Sequence, residues 1–237
     1  FDIISPLCPK TVNYTVQWFQ GNPGYRIPQL RLTKNFDTGG GNLAAVVGVT
    51  RTLGQDVTGY PTDDHGADAG FPTTAGALTW TGDSFYGGGK STLPLSGHYG
   101  REEYDSVTGR ELVQSWSFNL GAKLPLWEGA AIAGEYFWGR NLDQYFAGIG
   151  QGVNSMLNAI ASRGGWINLY WTPSTDWSFT LGYGIDKPYG TGDDSLDGGM
   201  RRENWVAFGN VFYTITEALK TGFEISTLQT KYQGDDY

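Results

Sequence analysis

The 237-residue chain has no apolar run long enough to cross a bilayer as a helix. That excludes a helical membrane protein. It does not exclude a barrel, whose strands alternate and average to mild polarity. The single cysteine, Cys8, cannot form an internal disulfide. Its one basic neighbour is Lys10, so it reads as a small loop residue and not as a reactive thiol. Basic residues are few: 16 Lys and Arg against 24 Asp and Glu give a net charge of −8, which argues against a nucleic-acid partner. Much of the acid falls in presumed loops, at Asp63, Asp64 and Asp68, at Asp193, Asp194 and Asp197, and at Asp235 and Asp236. This is what solvated loop surface looks like. The chain also lacks GxSxG and HExxH motifs. It opens without a basic start followed by an apolar run. With Phe1 first and Gln233 to Tyr237 reading as a loop, the expectation is one β-barrel domain over 1–237, truncated at both ends.

Glycine is abundant at 36 residues, and aromatics make up 15%. A packed interior tolerates so much glycine poorly; a barrel wall with a wet inner face tolerates it well. From Trp177 to Asp186 the alternation is complete. Trp177, Phe179, Leu181, Tyr183 and Ile185 are apolar, and the residues between them are small or polar. Side chains of a strand point alternately to opposite faces, so one face is greasy and the other wet. The same pattern runs through Trp116, Phe118, Leu120, Ala122, Leu124 and Leu126, and through Ile167, Leu169 and Trp171. It also runs through Ile132, Gly134, Tyr136 and Trp138, with Phe137 as an exception. Each unit has about ten residues, the length of a tilted membrane-crossing strand. Trp116, Trp127, Trp138, Trp171, Trp177 and Trp205 fall at strand ends, as in the aromatic girdles of outer-membrane barrels.

Eleven strands are expected: 11–20, 26–36, 43–53, 75–85, 91–104, 112–127, 130–140, 164–173, 176–187, 202–215 and 218–231. An odd count fits a piece of a larger barrel, since single-chain bacterial barrels have even numbers. The connections sort into two kinds that alternate. Segments 37–42, 86–90, 128–129, 173–176 and 216–218 are short. Segments 54–74, 105–111, 141–163 and 188–201 are mostly longer and polar, with 21–25 a short member of that set. Short turns at one end and long loops at the other mark an up-and-down barrel. In loop 141–163, Val153, Met156, Leu157 and Ile160 fall at helical spacing and predict about three turns of amphipathic helix. That helix either narrows the lumen, caps the barrel at a subunit contact, or packs on its own loop.

The segment Tyr25-Arg26-Ile27-Pro28-Gln29-Leu30-Arg31-Leu32 nearly matches an R-x-P-Q-x-R strand. With Ser96-Gly97-His98-Tyr99-Gly100-Arg101-Glu102-Glu103 and the alternating run 112–232, it resembles the trimeric DcaP-type porins of Gram-negative outer membranes. The opening Phe1-Asp2-Ile3-Ile4-Ser5-Pro6 is similar to a loop following an earlier strand in that family. The resemblance implies an all-β, transmembrane, antiparallel up-and-down barrel of roughly 14–18 strands. It also implies a homotrimer in a bilayer bearing lipopolysaccharide, passing small, often anionic, solutes, with strands before Phe1 and after Tyr237. Loop 54–74 has no match in that pattern. No cofactor or metal is expected.

If the apolar residues face lipid, the alternate positions line the pore. These are Gln29, Arg31 and Thr33; Ser96, His98 and Glu102; Asn119 and Lys123; Glu135; Asp186; and Lys220 with Glu224. A charge on the lipid face at mid-membrane would cost about 2–4 kcal/mol, which constrains this phase. Charges of both signs across a wet lumen would select solutes by charge. Arg31 is the leading anion-attracting group, because a guanidinium holds a carboxylate bidentately; pairing with a wall carboxylate is the competing reading. A barrel hydrolase is the alternative, with Ser96 and His98 two residues apart on one face. A soluble carbohydrate-binding β-protein is the third reading. His65, within Asp63-Asp64-His65-Gly66-Ala67-Asp68, could touch a cation, but a solvated loop is the simpler reading. The 193–197 segment lacks EF-hand spacing.

Overall fold

The computed structural model describes residues 2–52, 69–84, 88–106, 109–190 and 192–234. Ten strands form one sheet in sequence order: β1 Gln29–Asp37, β2 Gly41–Thr50, β3 Thr73–Asp83, β4 Lys90–Ser106, β5 Gly109–Trp127, β6 Ala130–Arg140, β7 Ala161–Trp171, β8 Trp177–Tyr189, β9 Arg201–Thr216 and β10 Leu219–Tyr232. Every neighbouring pair is antiparallel. The architecture is the expected all-β, up-and-down one. The sheet does not close: β1 and β10 pair on one side only. Among the described residues there is no second sheet, so a sandwich is ruled out there.

Strand ends agree with the alternation to within three residues, with two corrections. The expected strand at 11–20 is a chain of turns. Asn13 accepts bonds through its side chain from the Thr15 amide and hydroxyl, and successive turns close at Val16, Trp18 and Gln20. An Asn that bonds the backbone two residues on competes with a ladder. The expected helix over 153–160 is also absent. Loop 141–160 carries only short 3-10 turns at Asp143–Tyr145 and Gly148–Gly150, then a small loop closed by a Val153–Ala159 bridge. Within it the Asn154 side-chain oxygen accepts from the amides of Met156 and Asn158. Leu157 takes a left-handed φ of 60°. Met156 is exposed while Ile160 is buried, so the spaced residues share no face.

The segment 105–111 also differs. β4 and β5 run on until Ser106 pairs with Gly109, because cross-strand pairs such as Glu102–Val113 and Tyr104–Glu111 continue the ladder. The described connections at 38–40, 128–129, 172–176 and 217–218 share one end of the sheet, whereas 141–160 and 192–200 lie at the opposite end. Most of loop 54–74 lies outside the described residues.

One face of the sheet bears the apolar residues. Phe118, Leu120, Ile167, Leu169 and Leu181 are all exposed, with Leu181 at 64%. Trp171, Trp177 and Phe179 stack near the short-turn end, and Trp116 meets Trp138 edge-on toward the other end. The opposite face is covered in part by two folded-in segments, 2–28 and 141–160. Phe137, the exception in the alternation of β6, is fully buried under the second of these, with Leu142 and Ala147. Its ring lies where a Cβ at Gly164 would sit, so that glycine makes the room.

Candidate functional site

Segment 2–28 crosses the inner face from β2 to β10. Pro6, Pro9, Pro23 and Pro28 lack amide donors and keep it from joining a ladder. Its remaining polar backbone groups must find other partners when covered, and the wall supplies them. The Glu135 carboxyl accepts from the Leu7 amide at 3.0 Å, from the Ser5 hydroxyl and from the Trp166 indole. The Glu224 carboxyl accepts from the amides of Val12 and Asn13 at 2.9 and 3.2 Å. Ser96 donates to the Ile4 carbonyl, Asn210 to the Lys10 carbonyl, and Gln17 exchanges bonds with Asn168. Where the segment's backbone presses on β7, Gly21 has φ +110°, and a Cβ there would collide with the Gly165 carbonyl. Only glycine permits that approach.

Loop 141–160 is held in the same way. The Asp186 carboxyl accepts from the Ile149 amide and the Ser162 hydroxyl. His98 lies between Ser117 at 2.8 Å from Nδ1 and Ser115 at 3.0 Å from Nε2. The Ser115 hydroxyl is committed to the Asn141 carbonyl at 2.7 Å. The Nε2–H must therefore be the donor to Ser115, leaving Nδ1 to accept from Ser117. The imidazole is thus a neutral clip between wall and loop, with the Tyr145 ring 4.2 Å away. Glu102 accepts from Tyr104 and from the Asn141 amide.

The two segments also hold each other. Phe146, at φ 57°, stacks on Trp18 at 4.1 Å and meets Phe19 and Tyr25 edge-on. The amides of Phe19 and Gly24 donate to the carbonyls of Phe146 and Tyr145. Burial pushes the Asp2 carboxyl up to about 6, against bonds to the Ile4 and Tyr25 amides, and burial likewise raises Asp143. The tip of the 153–159 loop is tied to segment 192–197: Asp197 accepts from Ser155, and the Asp193 carbonyl from Asn154 and Asn158.

By strand parity, Gln29, Arg31, Thr33, Ser96, His98, Glu102, Asn119, Lys123, Glu135, Asp186, Lys220 and Glu224 lie on the inner face. All but the half-buried Glu224 divide into two groups. Ser96, His98, Glu102, Asn119, Glu135 and Asp186 are buried beneath the two segments. Arg31, Thr33, Lys123 and Lys220 are exposed, as is Gln29, which borders a small cavity with Asp2, Tyr25, His98 and Tyr145. Alternation could locate the face, but it carried no signal that half of it is covered. Lys10, which alternation could not place, lies with Lys123 and Lys220. Burial and then these two charges lower its pKa, and its ammonium lies 5.5 Å over the Tyr170 ring. None of Lys10, Arg31, Lys123 and Lys220 makes an ion pair among the described residues.

Ser96 and His98 do not form a dyad: each is bonded elsewhere. Among the described residues, no group of three His, Cys, Asp or Glu side chains is placed to hold a metal ion. His65 lies outside those residues.

An up-and-down sheet, apolar on one face and polar on the other, with segments folded onto the polar face, is the kind of fold found in the walls of porin-type β-barrels. The fold matches the crystal structure of the outer membrane channel DcaP of Acinetobacter baumannii with a TM-score of 0.71 at 14% identity. The match covers 97% of this chain and 63% of that one, so the chain spans under two thirds of the channel's length. No family model matches the chain, and no curated protein matches it significantly.

Proposed function

We propose that the chain forms the wall of an outer-membrane porin that passes small polar solutes by diffusion and prefers anions. The observation that carries the preference is how the inner face uses its charges. Glu135, Asp186 and Glu224 accept backbone amides of the folded-in segments, and Glu102 is bonded to Tyr104 and Asn141. Arg31, Lys123, Lys220 and Lys10 are not tied to acids. These four carboxyls serve as anchors, and these four cations are left to the solvent. In a narrow passage flanked by low-dielectric walls, unpaired cations attract anions more strongly than they would in bulk water. The two segments narrow that passage. In this reading the apolar face meets lipid or other subunits of a homotrimer, in a membrane whose outer leaflet bears lipopolysaccharide. No enzymatic role is assigned.

The test is a planar-bilayer recording in a salt gradient. The reversal potential should report anion preference, and Arg31→Ala and Lys123→Ala should each reduce it. A channel that prefers cations, with a reversal potential unmoved by these substitutions, would remove the mechanism. Failure to form channels at all would remove the porin reading.

A further inference from the structure

At the long-loop end of the outward face, one row of side chains breaks with the apolar band below it. Trp138 of β6 pairs in register with Arg163 of β7, and Arg163 with Lys187 of β8. The Lys187 ammonium is 2.7 Å from one Glu203 oxygen on β9, and the Lys231 ammonium of β10 is 2.7 Å from the other. Two lysines share one acid, and with Arg163 beside them the row carries a surplus of two positive charges. The acid is largely covered, while both lysine side chains remain 44% exposed. Arg163 is exposed and lies 5.3 Å over the Tyr189 ring, whose hydroxyl accepts from the Trp138 indole at 2.7 Å.

The row's height matters. Trp177 marks the short-turn end of β8, and Lys187 is ten residues further on. At about 3.3 Å per residue and a tilt of about 40°, this is about 25 Å of depth, the height of an outward apolar band. Lys187 therefore stands where the hydrocarbon ends and headgroups begin, and at that tilt Arg163 and Lys231, one and two strands away, lie within about 6 Å of its height. A strongly hydrated ammonium does not belong in lipid, but it fits against a phosphate. In a barrel with its long loops outside, this level belongs to the outer leaflet.

We propose that Arg163, Lys187 and Lys231 form a docking row for the phosphates of the outer leaflet's glycolipid, with Glu203 spacing the two lysines and Tyr189 and Trp138 orienting the guanidinium. The proposal rests on the porin reading for its orientation. The occupant follows from charge and height: a phosphorylated lipid headgroup with two phosphates on a sugar core, which can reach cations on β7, β8 and β10, separated by one to three strand spacings of about 4.8 Å.

The test uses the intact protein extracted from outer membranes and stripped of lipid in detergent. Its affinities for bisphosphorylated lipid A and for enzymatically dephosphorylated lipid A are compared by native mass spectrometry. The wild type should prefer the phosphorylated form by about tenfold or more. The variant Arg163→Gln, Lys187→Gln, Lys231→Gln, Glu203→Gln removes the row without stranding an acid. It should lose the preference and keep wild-type single-channel conductance. Should that variant fail to fold, Glu203→Gln alone adds a net positive charge and should strengthen the preference. Equal binding of the two lipids by the wild type would overturn the proposal and leave the porin reading intact. So would an unchanged preference in the quadruple variant, or dissociation of oligomers by it without any effect on lipid. Absence of channel activity in the wild type would overturn both.

Discussion

Replacing Glu135 with Ala should release the start of segment 2–28 from the wall. The Glu135 carboxyl is the partner of the Leu7 amide, the Ser5 hydroxyl and the Trp166 indole, and it is buried. Hydrogen bonds to a charged group are worth about 1.5–3 kcal/mol each, so three would be lost at most. Water entering the vacated space will satisfy some donors, which brings the net cost of docking to about 2–4 kcal/mol. This corresponds to an increase of about 30- to 900-fold in the undocked population of residues 3–9. Glu135→Gln keeps the shape and one acceptor oxygen but turns an amide group toward donors, so it should cost about 1–2 kcal/mol. Hydrogen exchange at the Leu7 amide reads the difference directly. Single-channel conductance should rise in the same order, Ala above Gln above wild type. If the Leu7 amide exchanges at the wild-type rate in Glu135→Ala, the anchoring account is wrong.

Three further outcomes follow from the same geometry. Phe146→Ala removes the stack on Trp18 and the edge contacts with Phe19 and Tyr25; it should loosen the two segments from each other by about 2–4 kcal/mol, read as red-shifted Trp18 fluorescence and higher conductance. Leu181→Arg places a charge at the middle of the outward face and should cost about 2–4 kcal/mol in refolding into lipid vesicles, whereas Thr180→Arg, on the inner face, should fail through lost packing even in detergent. Asp2 has a folded-state pKa raised to about 6, so it holds its proton better when docked. The stability it contributes is full below about 4 and is lost as pH rises from about 4 through about 6; exchange at the Ile4 amide should therefore quicken over that window, and Asp2→Asn should flatten the dependence.

The period-two alternation determined the wall. Side chains of a strand have no choice but to alternate, so Trp177 to Asp186 declared both its conformation and which of its faces is apolar. The strand ends followed from turn chemistry to within three residues, for the same local reason. What the sequence could not determine was the inside. Segment 2–28 shows apolar residues at 12, 14, 16 and 18 that mimic a strand, yet Asn13 and the prolines turn it, and its partners lie more than 100 residues away on β6 and β10. The spacing of Val153, Met156, Leu157 and Ile160 mimics a helix, but the Asn154 side chain takes the Asn158 amide that a helix would give to the Asn154 carbonyl, and Leu157 turns left-handed. Phe137 looked like a fault in β6 until loop 141–160 covered it. Which charges are free was likewise a tertiary decision: Glu135 and Lys123 are equivalent inward positions by parity, and only the descent of the two segments onto the wall turns the first into an anchor and leaves the second exposed.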